Sequence, residues 1–187
     1  MIRIKRGSHA YVLLCFMGLV GELPYKSLHL LGNAQTVRRV VEKMCVKEEY
    51  INDETKEVFE VKAFIQSGAG NKHTIRLSKK ALKLLDWVGM RKFYEGVTYN
   101  CNMPGDEVHV YRNHRMAEVL FMMYRAGANY LPTTIPILEY KGFDYSRVKS
   151  TCFYPSRLIK NMNEDESVKL KYILALGAVL SPYASYV

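Results

Sequence analysis

The sequence lacks the features that mark several protein classes. Only 4 of its 187 residues are cysteines, and Cys15, Cys45, Cys101 and Cys152 lie too far apart for a C-x-x-C motif, a zinc site or a disulfide scaffold. No run of apolar residues approaches the roughly 20 that cross a bilayer. We therefore expect a protein of the reducing cytoplasm, without a metal, a cofactor or a contact with membranes.

The longest apolar run, 10–20, follows a basic N-terminus and so has the layout of a secretory signal peptide. Arg3, Lys5 and Arg6 precede the run, but no small-residue cleavage site follows it, and Glu22 closes it. The pattern favours a buried first helix over a secretion signal.

Charge and aromatic residues divide the chain into two parts. The net charge is +9, and residues 1–95 carry 17 Lys and Arg against 10 Asp and Glu, whereas residues 96–187 carry 10 against 8. Tyrosine has the opposite distribution, since 11 of the 14 lie at or after Tyr94. We predict a basic first domain, 1–92, which suits a polyanionic partner, and a second domain, 93–187.

The first domain has the pattern of three helices, a β-hairpin and a fourth helix. Ser8 and Asn33 are N-cap candidates, and Gly21 ends the first helix. Valines and a methionine recur at helical spacing after Asn33. The predicted elements are helices 9–20, 24–31 and 34–47, strands 58–66 and 73–77, and a helix 79–88 capped by Ser78.

This order predicts a winged helix-turn-helix. Two helices joined by a short turn form the helix-turn-helix, and the hairpin around the flexible loop 67–72 forms the wing. Net charge alternates along this half, at +6 for residues 1–47, −5 for 48–61 and +7 for 62–92. Because like charges repel, we expect the acidic block 48–61 to lie away from any nucleic-acid phosphates.

The same residues resemble a known family. The segment "HTIRLSKKALKLLDW", with the later "HRMAEVLFMMYRAG", "FYPSRLIKN" and "LALGAVLSPYASYV", is similar to the replication-relaxation family of plasmids, conjugative elements and phages. Lys80-Ala81 departs from the glycine that commonly begins the helix in that family. The resemblance implies a winged-helix protein that binds DNA in replication or mobilisation of an element, and it implies no reaction.

The second half predicts a small mixed α/β domain, so that the whole chain belongs to the α+β class. Strands are predicted at 96–100, 108–111 and 135–140, and a helix at 114–126 with Asn113 as its N-cap and Gly127 at its end. An apolar stretch, 168–180, follows. The chain ends on a strand-like pattern, which is consistent with a second domain cut short at its C-terminus.

The DNA-binding candidates lie on the third helix, the wing and the start of the fourth helix. Arginine can bond guanine in bidentate fashion, and glutamine and threonine suit adenine edges or phosphates, while a basic hairpin tip can follow the phosphate backbone. The alternative for the helix is an ordinary solvated surface, and for the wing a mobile hairpin tip. The candidates are Gln35, Thr36, Arg38, Arg39, Lys43, Lys62, Asn71, Lys72, His73, Arg76, Lys79 and Lys80.

Signs of catalysis are weak. Glu139 and Lys141 form an E-x-K motif that resembles metal-dependent nucleases, with Asp106 as the nearest further carboxylate. His109 and His114 have no second ligand set, and the loop 68–73 lacks the spacing of a phosphate-binding loop. We therefore expect a protein that is not an enzyme, with a nuclease as the weak alternative.

The sequence is compatible with two classes of binding partner, DNA and protein. The leading hypothesis is a double-stranded DNA-binding protein of a mobile genetic element, acting in its replication, mobilisation or transcription control. The alternative is a winged-helix module that binds protein, such as an inhibitor of a host-defence nuclease. The helix 114–126 carries more apolar bulk than one face holds, so it is either a homodimer surface or the core of the second domain.

Overall fold

The chain belongs to the α+β class, with short sheets interleaved among helices. A computed structural model describes residues 1–70, 73–100, 107–131, 151–155 and 177–180. Two compact units divide the chain, Met1–Glu118 and Val119–Val187. The elements are β1 (Ile2–Ile4), α1 (His9–Val20), β2 (Glu22–Pro24), a 3-10 helix (Tyr25–Leu31), α2 (Ala34–Met44), β3 (Glu48–Asn52), β4 (Val58–Val61), β5 (Phe64–Ser67), β6 (Thr74–Leu77), a 3-10 turn (Lys79–Ala81), α3 (Leu82–Trp87), α4 (Arg91–Asn100), α5 (Glu107–Arg125), β7 (Cys152–Pro155) and β8 (Gly177–Leu180).

The predicted starts of the first and third helices are confirmed. Ser8 Oγ accepts a hydrogen bond from the Tyr11 backbone at 3.3 Å, and α1 ends at Gly21, whose φ of 85° is the left-handed conformation that glycine adopts without strain. Asn33 caps α2 by accepting from the Thr36 backbone at 3.1 Å. Since α1 is buried on almost every side, it forms the centre of the first unit.

One sheet joins the connection after α1 to the hairpin. Its strand order is β2-β6-β5, with both pairings antiparallel. Glu22 pairs with Arg76 in the register of β2 and β6, and Phe64 pairs with Leu77 in that of β5 and β6. The hairpin is therefore present, with shorter strands than predicted, and the predicted helix 24–31 is a 3-10 helix that follows β2.

A second sheet, with the order β1-β3-β4, was not predicted. Strand β1 runs parallel to β3, and β3 runs antiparallel to β4. The prediction of one continuous strand 58–66 is wrong, because the chain leaves this sheet after Val61 and joins the other at Phe64. The Ala63 carbonyl between them accepts from the Ser78 backbone at 2.8 Å.

Two strands predicted in the second half are wrong, since residues 96–100 belong to α4 and residues 108–111 belong to α5. Helix α4 gains an i,i+4 ion pair, Arg91 to Glu95 at 2.8 Å, and packs against α1. Asn113 lies inside α5 rather than at its start, while Gly127 ends the helix as predicted.

The limit of the first unit differs from the predicted domain boundary. Helix α4 packs on α1, and Asn113 and Glu118 of α5 hydrogen-bond Glu22 and Ser27, so the unit extends past residue 92 to Glu118. A boundary between independently folding domains at 92 stays a prediction. The predicted strand 135–140 and most of the stretch 168–180 lie outside the described residues.

Several of the apolar side chains of α5 on which the dimer prediction rests are buried. Met116, Leu120 and Phe121 are buried, whereas Met122 is 48% exposed. Met116 belongs to the first unit and Leu120 and Phe121 to the second, so the homodimer surface and the core of the second domain both stay predictions.

Helix α1 approaches the start of α4 so closely that Gly18 has no space for a side chain. A Cβ atom there would lie 2.6 Å from Met90 Cβ and 3.2 Å from the Met90 carbonyl oxygen. We expect Gly18→Ala to lower the free energy of unfolding by about 1 to 2 kcal/mol, because overpacking outweighs the gain in helix propensity.

The matched control is Gly96→Ala in α4, where a Cβ would meet no atom within 4 Å. We expect this change to raise the free energy of unfolding by about 0.5 to 1 kcal/mol. Urea unfolding of both variants measures the difference, and equal effects at the two positions would contradict the close packing at Gly18.

Candidate nucleic-acid interface

Helix α2 presents a polar face along its whole length. Val37, Val41 and Met44 are buried on the opposite side, as the apolar spacing predicts. The exposed residues of the polar face include all five candidates from this helix: Gln35, Thr36, Arg38, Arg39 and Lys43. Their exposure is confirmed, and their contact with DNA stays a prediction.

An aromatic stack links α2 to the hairpin. The rings of Tyr25, in the 3-10 helix, and His73, just before β6, lie 4.3 Å apart at an angle of 19°. The Tyr25 backbone also donates to the His73 carbonyl at 3.0 Å. On α2, Arg38 places its guanidinium carbon 5.7 Å from the centre of the Tyr25 ring, and Glu42 accepts from the Tyr25 hydroxyl at 3.4 Å.

The hairpin returns to α2 at a second point. His73 Nε2 lies 3.1 Å from Gln66 Oε1, and Gln66 Nε2 donates to Cys45 Sγ at 3.4 Å. Contacts therefore run from the middle of α2 through Tyr25, His73 and Gln66 to its C-terminal cap. Burial and the Glu42 carboxylate raise the pKa of Tyr25, so its hydroxyl stays protonated and able to donate at neutral pH.

Six cations on and beside this region differ in their ion pairs from the cations near the sheet formed by β1, β3 and β4. Within the described part of the chain, no ion pair is made by Arg38, Arg39, Lys43, Lys62, Lys79 or Lys80. On β4, in contrast, Glu60 pairs with Lys47, and just before β4 Glu57 pairs with Lys83. Hydrogen bonds from Lys83 and Trp87 hold the pKa of Glu57 below its usual value.

The remaining hairpin candidates lie in different places. Lys62 is exposed between β4 and β5 rather than on a wing strand. Lys79 and Lys80 are exposed on a 3-10 turn after β6 rather than at the start of an α-helix. The prediction of a helix 79–88 capped by Ser78 is wrong, because α3 begins at Leu82 and the Ser78 side chain makes no cap hydrogen bond. Asn71 and Lys72, predicted at the wing tip, lie outside the described residues.

Arg76 makes an internal ion pair that the sequence did not predict. Its Nε donates at 2.9 Å to Glu22 Oε2, and the Glu22 side chain is 0% exposed while that of Arg76 is 25% exposed. Asn113 donates to the other Glu22 oxygen at 2.7 Å. Since these residues come from β6, β2 and α5, no local pattern could have brought them together.

His114 lies beside this buried network. It is 5% exposed, and among the described residues its Nε2 has no hydrogen-bond partner. Desolvation lowers the pKa of His114 from 6.5, against the opposing influence of Glu22 and Glu118. The histidine is therefore neutral in the fold at neutral pH.

Because the fold depresses this pKa, acid should destabilise the protein. Neutral His114 makes its full contribution to the free energy of unfolding above about pH 6.5. This contribution is lost as the pH falls through the pKa of His114 in the folded state. We expect the free energy of unfolding to fall between pH 7.5 and pH 5, with a smaller fall in His114→Leu. Urea unfolding across this pH range tests the prediction, with a change at the exposed His29, His29→Gln, as the control. If the free energy of unfolding of His114→Leu falls with pH as steeply as that of the wild type, another group causes the acid sensitivity.

The described residues contain no group of three or more metal-ligating side chains, and no helix among them is long and apolar enough to cross a membrane. His114 is buried and His109 is exposed on α5. The E-x-K residues Glu139 and Lys141, with Asp106, lie outside the described part of the chain.

Comparisons with known proteins give no relative on which to base a function. No protein-family model, curated protein or solved structure matches the chain.

Proposed function

We propose that the first unit is a winged helix that binds double-stranded DNA, with α2 in the major groove and the β5-β6 hairpin as the wing along the backbone. The observation that carries the proposal is the polar face of α2, whose exposed cations make no ion pair within the described residues. The Tyr25–His73 stack connects this face to the hairpin. The phosphates of a DNA duplex supply negative charge that complements these cations.

The order of elements supports the winged-helix assignment. A helix, a short strand, a helical turn, a second α-helix and a hairpin follow one another, and the short strand β2 pairs with the returning hairpin strand β6. This pairing places the hairpin beside the helical turn that precedes α2, because Tyr25 follows β2 and His73 precedes β6. Helix and wing can then contact one duplex together.

Arg76 is not among the proposed DNA contacts. Its guanidinium is held by the buried Glu22 carboxylate, and moving it to a phosphate would leave that carboxylate without its cation. The proposed contacts are Gln35, Thr36, Arg38, Arg39, Lys43, Lys62, Asn71, Lys72, His73, Lys79 and Lys80.

The biological setting follows from the resemblance to the replication-relaxation family. We propose a protein of a mobile genetic element that acts on the element's own DNA in replication, mobilisation or transcription control, without catalysing a reaction. A winged helix that binds a protein partner remains the alternative.

A fluorescence-anisotropy titration of the full chain against a labelled duplex separates the two. DNA binding predicts saturable binding that a long unlabelled duplex competes away. Absence of saturable binding at about 50 mM salt, where phosphate contacts are strong, would favour the protein-binding alternative.

A further inference from the structure

The polar face of α2 contains one carboxylate, Glu42, among its cations. At a surface that only attracts phosphates, an exposed carboxylate reduces affinity through repulsion. Facing a base edge, in contrast, a carboxylate accepts a hydrogen bond from the amino group of cytosine. The position of Glu42 on the helix decides between these roles.

Glu42 lies on the central ridge of the polar face. Gln35, Arg39 and Glu42 follow one another at i, i+4 and i+7, so their side chains form a line along the helix opposite the buried Val37 and Met44. The middle of such a face penetrates deepest when a helix enters the major groove, whereas its flanks meet the groove walls.

Arg38 lies on one flank of this face, where its guanidinium rests 5.7 Å from the centre of the Tyr25 ring. Tyr25 in turn stacks on His73 from the hairpin. Arg38 therefore contacts the residues that join the helix to the wing. Arg39, on the central ridge, makes no ion pair within the described residues.

Tyr25 also orients the carboxylate. Its hydroxyl donates to Glu42 Oε1 at 3.4 Å, and that bond leaves Oε2 with its acceptor capacity. A carboxylate held in this way has one oxygen engaged by the protein and one available to a partner.

We infer that Glu42 and Arg39 are the base-reading pair of this protein, with Glu42 accepting from cytosine and Arg39 donating to guanine. Arg38 and Tyr25 are positioning residues. The inference rests on the proposed DNA binding and deepens it, because it assigns sequence preference to two residues and predicts G·C base pairs in the preferred site.

The test selects duplexes from a random library with the full-length protein and then measures affinity for the selected site and for versions with single base-pair changes. The wild type should prefer its site over a duplex changed at the cytosine position by about 5- to 150-fold. Glu42→Gln should lose most of this preference and bind random duplex more tightly, since a repulsive charge is removed. Arg39→Ala should lose preference at a guanine, and Arg38→Ala should weaken binding to all duplexes alike.

Two further variants separate base recognition from the effects of net charge and of protein stability. Glu54→Gln removes the same charge from an exposed turn outside this face and should leave the preference unchanged. Tyr25→Phe keeps the ring that stacks on His73 but removes the hydroxyl that binds Glu42. It should therefore reduce the preference for cytosine. Its midpoint of urea unfolding should be similar to those of the other variants.

An equal rise in affinity for every duplex in Glu42→Gln, with the base preference intact, would overturn the inference while leaving DNA binding in place. A wild-type protein that binds no duplex would instead overturn the proposed function itself. The two failures are therefore distinguishable in one set of titrations.

Discussion

Replacing Arg76 with alanine is expected to lower the free energy of unfolding by about 3 to 5 kcal/mol. The change leaves Glu22, a fully buried carboxylate, with Asn113 as its remaining side-chain hydrogen-bond donor. A single amide cannot offset the cost of a charge without water or a counterion. Urea unfolding measures the loss.

Two comparisons separate the buried ion pair from lost charge in general. Lys83→Ala removes a cation paired with Glu57 at the surface, where both side chains are more than 40% exposed, and should cost less than about 1 kcal/mol. The double variant Glu22→Leu with Arg76→Leu removes both charges and should recover much of the stability lost in Arg76→Ala. Equal losses in Arg76→Ala and Lys83→Ala would contradict the role assigned to the pair.

Reversing two charges on α2 is expected to lower affinity for duplex DNA by about 100-fold at 0.1 M salt. Arg39→Glu with Lys43→Glu removes two proposed contacts and adds two groups that repel phosphates. Both side chains are exposed and make no ion pair in the described part of the chain, so the unfolding midpoint should change little. Anisotropy titrations and urea unfolding of the same variant measure both effects.

The matched control reverses two charges on the other surface. Lys47→Glu with Lys56→Glu changes the net charge by the same amount but lies beside the acidic strands β3 and β4, where these lysines pair with Glu60 and Asp53. This variant should keep most of its DNA affinity. A similar loss in both variants would mean that overall charge, rather than α2, determines binding.

The sequence predicted the helices whose signals are local. Apolar spacing and the caps Ser8 and Asn33 placed α1 and α2, since each of those contacts spans only a few residues. The same reasoning failed at α4, where residues 96–100 were predicted to form a strand. Packing of α4 on α1 outweighed the local preferences of residues 96–100.

The candidate site was predicted in part, for the same reason. The exposed residues of α2 followed from helical periodicity alone. The Tyr25–His73 stack and the ion pair of Glu22 with Arg76 join residues 48 and 54 positions apart, so they depend on strand register that single-sequence patterns do not specify. The sequence predicts Asn113 as a helix cap, whereas its side chain donates to Glu22, which lies 91 residues away in the chain and which no local pattern indicates.

The most direct test of the central claim is the salt dependence of duplex binding by the full-length protein. Six to eight phosphate contacts, the number that α2, the hairpin and the 3-10 turn could supply together, predict a slope of log K against log salt of about −5 to −7. Affinity should then fall by at least about 1,000-fold between 50 and 200 mM salt. Weak affinity that stays flat across this range would contradict DNA binding by this protein.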